Sequence, residues 1–112
     1  MRMRTVLSAA VLSAATIAPV LATASPSDAA TLRTWQRLAQ CESSGRWHIN
    51  TGNGYYGGLQ ISPGTWRANG GRRFAVLPNR ATKREQIKVA ERIKRSQGWG
   101  AWPACSYRIG VR

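Results

Sequence analysis

Apolar residues recur at helical spacing in two stretches of the chain, and each stretch carries start and stop signals. In the first, the positions that share one predicted helix face are Leu32, Trp35, Leu38 and Glu42. Thr31 stands where an N-cap is expected, and the turn residues "SSGR" follow. The pattern predicts a helix that begins after Thr31 and ends at this turn, with a carboxylate on its apolar face near the end.

The second stretch predicts the longest helix. Thr82 and Glu85 have the spacing of a capping box, in which each side chain accepts a hydrogen bond from the other residue's backbone N–H. Gly98 is a stop signal. The apolar positions between these signals are Ile87, Val89, Ala90 and Ile93. We expect a structural helix with a basic solvent face.

Turn signals and one short helix separate these two stretches. The segment "NTGNGYYGGLQIS" (50–62) contains an Asn-Gly pair and a Gly-Gly pair, so it is expected to be irregular or to form a short hairpin. Ser62 followed by Pro63 is typical of an N-cap and first helical position, which predicts a short helix over 63–69. The fold class is therefore α+β but mainly α, with a short β or irregular segment.

The first 30 residues have the composition of a secretory signal. Arg2 and Arg4 precede an apolar stretch rich in Ala and Ser, and the pattern "ATA" places the expected cleavage after Ala24. Cleavage after Ala30 is an alternative, and so is a membrane anchor, which the short apolar core and its proline disfavour. The expected organisation is a signal peptide with a short stub, followed by one domain over 31–112.

Two cysteines, Cys41 and Cys105, follow the expected signal. Export to an oxidising compartment favours a disulfide between them over two free thiols. Such a bridge would join the end of the first predicted helix to the C-terminal segment. Closing so long a loop stabilises a fold by about 4 kcal/mol, a large share of the stability of a domain this small.

The chain carries 17 Lys and Arg against four Asp and Glu, and its formal net charge is +13. So basic a protein implies an anionic partner surface, which nucleic acid, anionic lipid or an acidic cell-wall polymer can supply. No metal or cofactor is expected, because a single histidine and two paired cysteines leave no ligand set. The glycine-rich stretch also lacks the Gly-Lys-Ser/Thr end of a phosphate loop.

Glu42 is the candidate for acid–base chemistry. A place on an apolar stripe desolvates the carboxylate and a helix C-terminus adds partial negative charge, so both raise the pKa toward the range of a general acid. The many cations oppose this rise, although exposed ones are screened. The alternative is an exposed glutamate at a frayed helix end, and spacing alone does not decide between them.

The five tryptophans supply either core packing or flat faces for sugar rings. Two or three are expected in the core and one or two in a groove. Trp66 is the predicted groove residue, because Gln60 and Thr65 are close in sequence and can hydrogen-bond hydroxyl and acetamido groups. Asn53 and Tyr55 are further candidates for glycan contact.

Four segments in this order resemble the catalytic domain of the resuscitation-promoting factors, secreted muralytic proteins of high-GC Gram-positive bacteria: "WQRLAQCESSGRWHINTGNGYYGGLQIS", "TWRANGG", "REQIKVAERI" and "QGWGAWPAC". The resemblance implies a lysozyme-like fold, a Cys41–Cys105 bridge and Glu42 as the catalytic acid. It also implies a secreted, wall-associated protein. The groove residues that it implies are Gln60, Thr65 and Trp66, with Asn53 and Tyr55 in the matching segment.

The resemblance further implies the substrate, namely peptidoglycan glycan strands cut at the β-1,4 link between N-acetylmuramic acid and N-acetylglucosamine. Family members are associated with the regrowth of dormant cells. Anionic wall polymers and a peptidoglycan endopeptidase are further candidate partners, and nucleic acid is not. His48 departs from the family, in which an Asp often precedes "INTGNG", so no role of that carboxylate carries over.

Glycosidases ordinarily use two carboxylates that flank the scissile bond. Glu85 belongs to the predicted capping box and Glu91 to the same helix, so a second catalytic carboxylate is not expected. The prediction is therefore lytic transglycosylase chemistry, which forms 1,6-anhydro products, ahead of hydrolysis by a muramidase. A non-catalytic cationic wall-binding protein is the alternative from another class.

Overall fold

Helices form most of the chain that the structure describes. The computed structural model describes residues 29–112. Its α-helices are α1 (Leu32–Ser43), α2 (Pro63–Ala68), α3 (Lys83–Gln97) and α4 (Pro103–Arg108), and 3-10 turns lie at Gly71–Arg73, Pro78–Arg80 and Gly98–Ala101. The mainly α prediction is confirmed. The proposed signal peptide and its cleavage site lie outside the described residues.

The three predicted helix starts are confirmed by side-chain caps. Thr31 caps α1 and Ser62 caps α2, each by accepting a hydrogen bond from a backbone N–H of the first turn. At α3 both halves of the capping box form, with Glu85 N donating to Thr82 Oγ1 at 3.1 Å and Thr82 N donating to Glu85 Oε1 at 2.9 Å. Helix α4 was not predicted, because six residues are too few to show a periodic apolar pattern.

The segment between α1 and α2 has the irregular hairpin character that its turn residues predicted. Two isolated antiparallel bridges, Asn50–Tyr56 and Tyr56–Ile61, supply its β pairing. Tyr56 N donates to Ile61 O at 3.0 Å, and Ile61 N donates to Tyr56 O at 3.1 Å. The β part of the α+β prediction is therefore limited to these bridges within residues 29–112.

A buried glutamine of α3 fastens this segment to the helix. Gln86 is fully buried, its Oε1 accepts from Gly58 N at 3.0 Å, and its Nε2 donates to Trp47 O at 2.8 Å and Ala81 O at 3.0 Å. Because every strong polar group on this side chain has a partner, its burial stabilises one arrangement of the loop.

Two buried tryptophans, Trp35 and Trp102, pack together in the core, and the partly buried Trp99 packs against them. Trp35 lies 5.1 Å from Trp99 and 5.3 Å from Trp102, measured between ring centroids. Trp102 Nε1 donates to Leu59 O at 2.8 Å, so the C-terminal segment is held against the hairpin segment. The buried apolar residues are Trp35, Leu38, Ala39, Leu59, Ile61, Trp66, Ala81, Val89, Ala90, Ile93, Trp102 and Cys105.

The predicted disulfide is present. Cys41 in α1 and Cys105 in α4 are bridged, with 5.8 Å between their Cα atoms. The bridge closes a loop of 64 residues and ties the end of α1 to the last helix. Since nearly the whole domain lies inside this loop, the bridge restricts most of the unfolded chain.

Replacing both cysteines with alanine should lower the free energy of unfolding by about 4 kcal/mol, because the unfolded chain regains the entropy of an open loop. Guanidinium chloride unfolding of the oxidised wild type and the Cys41→Ala/Cys105→Ala variant measures this difference. A loss smaller than about 1 kcal/mol would show that the bridge does not constrain the domain.

A glycine beneath Trp66 gives a second test of packing. A Cβ at Gly71 would collide with the Trp66 ring, whereas a Cβ at Gly64 in α2 meets open space. Gly71→Ala should therefore destabilise by about 1–3 kcal/mol through overpacking. Gly64→Ala, the matched control, should be neutral or stabilising by about 0.5–1 kcal/mol. Thermal unfolding of both variants checks the pair, and equal effects would contradict this packing.

Candidate active site

Glu42 occupies the position that the helical pattern predicted. It is the penultimate residue of α1, it is half-buried, and it shares a helix face with the buried Trp35 and Leu38. The helix ends at Ser43, and the left-handed backbone of the C-cap residue Ser44 (φ 59°) turns the chain away. Burial raises the pKa of Glu42, because desolvation disfavours the charged carboxylate. The alternative of an exposed glutamate at a frayed end is therefore wrong.

A cavity of about 240 Å³ opens beside this carboxylate. Its lining residues are Glu42, Tyr55, Gln60, Ala101, Trp102 and Pro103. They come from three parts of the chain that the disulfide and the Trp102–Leu59 hydrogen bond hold together. The site is thus assembled from the end of α1, the hairpin segment and the residues that lead into α4.

The cavity continues into a second depression, and the two share four lining residues. The shared residues are Tyr55, Gln60, Ala101 and Trp102, and the second depression adds Ile61, Ser62, Thr65, Ile93 and Gln97. We call the whole surface the Glu42 groove. Its lining alternates apolar faces with uncharged amide and hydroxyl groups, beside the single carboxylate of Glu42.

Gln60 lies at the centre of the Glu42 groove in a constrained conformation. Its backbone adopts the left-handed region (φ 51°), which is costly for a residue with a Cβ. Its Nε2 donates to Gly57 O at 3.1 Å, and its Oε1 accepts from Asn53 Nδ2 at 3.3 Å. Asn53 therefore reaches the groove through Gln60, whereas Tyr55, which is half exposed, lines the groove itself.

Thr65 lines the groove from the first turn of α2. Ser62 Oγ accepts from Thr65 N at 3.3 Å and donates to Thr65 Oγ1 at 3.1 Å. The cap of α2 therefore orients the Thr65 side chain. Of the residues predicted to contact glycan, the structure brings Tyr55, Gln60 and Thr65 to one surface with Glu42.

Trp66 does not line the groove, and the prediction that it offers a stacking face there is wrong. It is fully buried, its ring packs over Gly71, and its Nε1 donates to Ala75 O at 2.9 Å. The tryptophan that lines the groove is Trp102. Trp35, Trp66 and Trp102 are buried and the other two are partly exposed, so the expected number of core tryptophans is confirmed.

Among the described residues, the other two glutamates are engaged elsewhere. Glu85 completes the capping box of α3. Glu91 Oε2 accepts from Trp35 Nε1 at 2.7 Å and from Ala30 N at 3.0 Å, so it fixes the start of the domain to the core. Glu42 is the only glutamate of this part of the chain that lines the groove.

His48 has a structural contact rather than a place in the groove. Its Nδ1 donates to Asn79 O at 2.8 Å, linking the segment after α1 to the turn before α3. Within residues 29–112, no group of three or more His, Cys, Asp or Glu side chains lies close enough to hold a metal ion.

Comparison with known proteins identifies the family of this small, mainly α, disulfide-linked domain. Residues 29–105 match the protein family described as "Transglycosylase-like domain". The chain belongs to this family and carries the catalytic domain of the resuscitation-promoting factors. Its fold is accordingly a small lysozyme-like domain.

Three relatives illustrate the similarity. The chain is 56% identical over 98 residues to a resuscitation-promoting factor of Corynebacterium glutamicum, covering 88% of this chain and 48% of the relative. It is 55% identical over 86 residues to one of Micrococcus luteus, covering 77% and 37%. It is 60% identical over 74 residues to resuscitation-promoting factor RpfE of Mycobacterium tuberculosis, covering 66% and 41%. The chain thus spans about half or less of the length of these relatives.

No helix between residues 29 and 112 is both long enough and apolar enough to cross a membrane.

The half-buried carboxylate predicts a pH-dependent stability difference between the wild type and Glu42→Gln. The pKa of Glu42 in the folded state is raised above its unfolded-state value of about 4.3. The protonated side chain therefore contributes to the stability of the folded state below about pH 4.3, and this contribution is lost as the pH rises through the folded-state pKa. Glutamine carries no charge and avoids this loss. The variant should gain stability relative to the wild type as the pH rises above the unfolded value of about 4.3 and through the raised pKa of the folded state.

Thermal unfolding of both proteins across this range checks the difference, in which the titration of all other groups cancels. A wild type that becomes more stable relative to the variant as pH rises would show that the pKa of Glu42 is lowered.

Proposed function

We propose that this protein cleaves the glycan strands of peptidoglycan at the β-1,4 link between N-acetylmuramic acid and N-acetylglucosamine. The observation that carries the proposal is the half-buried Glu42, whose pKa is raised by desolvation, in a groove lined by Tyr55, Gln60, Thr65 and Trp102. Apolar faces and neutral hydrogen-bonding groups suit sugar rings with hydroxyl and acetamido substituents. Membership in the transglycosylase-like family supports the same reaction class.

In the first step, protonated Glu42 donates its proton to the bridging oxygen as the glycosidic bond breaks. A raised pKa keeps more of the carboxyl group protonated near neutral pH, which is the requirement for a general acid. Positive charge develops at the anomeric carbon of the muramic acid residue. With the other described glutamates bonded elsewhere, the substrate's own acetamido oxygen stabilises that centre.

In the second step, Glu42 is a carboxylate and acts as a base. It takes the proton from the C6 hydroxyl of the same sugar, and the C6 oxygen bonds to the anomeric carbon. The products are a 1,6-anhydro end and a new free hydroxyl on the leaving sugar, and Glu42 is protonated again. No water is consumed, so one carboxylate is enough for the complete cycle.

Hydrolysis is the second candidate for this site. A water molecule in place of the C6 hydroxyl would give a reducing end instead of an anhydro end. The carboxylate separations that distinguish retaining from inverting glycosidases need a second groove carboxylate, which the described residues do not supply. This favours the transglycosylase reaction.

The biological setting is part of the proposal. We infer that the protein is secreted and acts at the cell wall, where cleavage promotes the regrowth of dormant cells, in line with the names of its relatives. Cooperation with a peptidoglycan endopeptidase remains a prediction. A protein that binds the wall without cleaving it would keep all its effects when the Glu42 carboxylate is removed.

Glu42→Gln should lower the rate of peptidoglycan solubilisation by about 1,000-fold or more, since it removes both the general acid and the general base. Glu85→Gln is the matched control, because it removes the same charge from the capping box of α3 and should keep wild-type activity. Turbidity loss of purified peptidoglycan gives the rates, and mass spectrometry of the wild-type digest identifies the new ends.

Anhydro ends support the transglycosylase reaction, whereas reducing ends support the hydrolase. Retention of full activity by folded Glu42→Gln would contradict the assignment of Glu42 as the acid.

A further inference from the structure

The positive charge of the protein lies outside the lining of the Glu42 groove. Fifteen of the 17 Lys and Arg residues follow residue 30, yet none of them lines the groove in the described chain. The hydroxyl and acetamido groups of the sugar rings do not need them. Such a density of positive charge raises the electrostatic energy of the folded state, so its placement calls for a separate explanation.

Four of the cations surround one concavity on another side of α3. The cavity has a volume of about 390 Å³ and is lined by Arg73, Phe74, Lys88, Glu91, Arg92 and Arg95. We call this surface the α3 basic cavity. Its four cations come from two elements, the Gly71–Arg73 turn and α3, which pack against each other.

The charges of the α3 basic cavity are arranged in a row. Lys88, Arg92 and Arg95 follow one another at four- and three-residue steps, so they project from neighbouring positions on one helix face over an axial length of about 10 Å. Arg73 adds a fourth charge from the adjoining turn, where its guanidinium lies 5.7 Å from the centroid of the Phe74 ring.

Glu91 does not cancel this field. It supplies one negative charge against four positive ones, and the hydrogen bonds that its Oε2 accepts from Trp35 Nε1 and Ala30 N hold this carboxylate in place without removing its charge. Positive charge is therefore left facing the cavity. Arginine matches the oxygens of both phosphate and carboxylate groups with paired N–H donors, so a row of this kind suits a polymer with regularly repeated anionic groups, such as a chain of phosphates.

We propose that the α3 basic cavity binds a linear phosphodiester polymer of the cell wall and so retains the enzyme on its substrate. The concave shape accommodates a polymer chain, whereas a flat bilayer surface fits it poorly. Helix α3 contributes to both surfaces with different residues. Ile93 and Gln97 line the Glu42 groove, whereas Lys88, Arg92 and Arg95 line the α3 basic cavity. A polymer bound in the cavity therefore leaves the groove open to glycan. The choice of a wall polymer rests on the proposed peptidoglycan substrate.

The test compares two triple variants with the same loss of charge. The first, Lys88→Gln/Arg92→Gln/Arg95→Gln, removes the row, and the control, Arg80→Gln/Arg84→Gln/Arg112→Gln, removes three exposed arginines that do not line the α3 basic cavity. Both sets are placed in the Glu42→Gln background for the binding assays, so that the wall stays intact. Co-sedimentation is measured on peptidoglycan sacculi that keep their phosphodiester polymers and on sacculi stripped with hydrofluoric acid.

The row variant should bind polymer-bearing sacculi about tenfold or more weakly than the parent, and the control should bind with nearly parental affinity. The slope of log affinity against log salt should become shallower by about 2 for the row variant, because three fewer cations displace counterions. Stripped sacculi should bind the parent weakly. With Glu42 restored, both triple variants should cleave a soluble peptidoglycan glycan fragment at the wild-type rate.

Equal weakening in both triple variants would overturn the proposal, since it would show that only net charge matters. Undiminished binding of the parent to stripped sacculi would overturn it as well. Loss of binding to phosphatidylglycerol vesicles, with binding to polymer-bearing sacculi unchanged, would assign the cavity to a membrane instead. Failure of the protein with intact Glu42 to cleave the soluble fragment would contradict the proposed enzymatic function alone.

Discussion

The Cys41–Cys105 disulfide is the constraint on which the site depends. Glu42 follows the first of these cysteines, and Trp102 and Pro103 come shortly before the second. The bridge therefore brings the Glu42 carboxylate of α1 next to groove residues from the other end of the domain. Two further ties complete the arrangement. Trp102 Nε1 donates to Leu59 O, and buried Gln86 binds the hairpin segment that carries Gln60. Each tie links parts of the chain that are far apart in sequence, which explains how so small a domain can hold a groove open.

The half-buried position of Glu42 lowers the stability of the fold and serves the proposed reaction. A half-buried carboxylate is desolvated, which disfavours its charged form and raises its pKa. In the proposed reaction, the same desolvation keeps on Glu42 the proton that a general acid must donate. The disulfide, the caps of α1 and α3 and the satisfied Gln86 offset this local cost. The left-handed backbone of Gln60 is a second strained feature of the groove, and bonds to Asn53 and Gly57 hold its side chain.

Local signals predicted the parts of this structure that local physics controls. A helix cap depends on residues three positions apart, and the apolar face of α1 depends on the spacing of apolar residues within that helix. Both could therefore be predicted from the sequence. The cysteine pair could be predicted as well. Trp66 was misplaced because α2 is only six residues long, and so short a helix does not reveal which face is buried. Gln86 was missed since its partners lie up to 39 residues away. Trp102 could have been found, because the predicted disulfide already brings residues 101–103 near Glu42.

The central claim is that burial, at the end of an apolar helix face, keeps the Glu42 carboxyl group protonated to higher pH than an exposed glutamate. Carbon-detected NMR titration of the folded protein, labelled at the glutamate side-chain carboxyl, measures this directly, with Glu42→Gln used to assign the resonance. The account predicts a midpoint for Glu42 above the value of about 4.3 for an unperturbed glutamate. A midpoint at or below that value would contradict it.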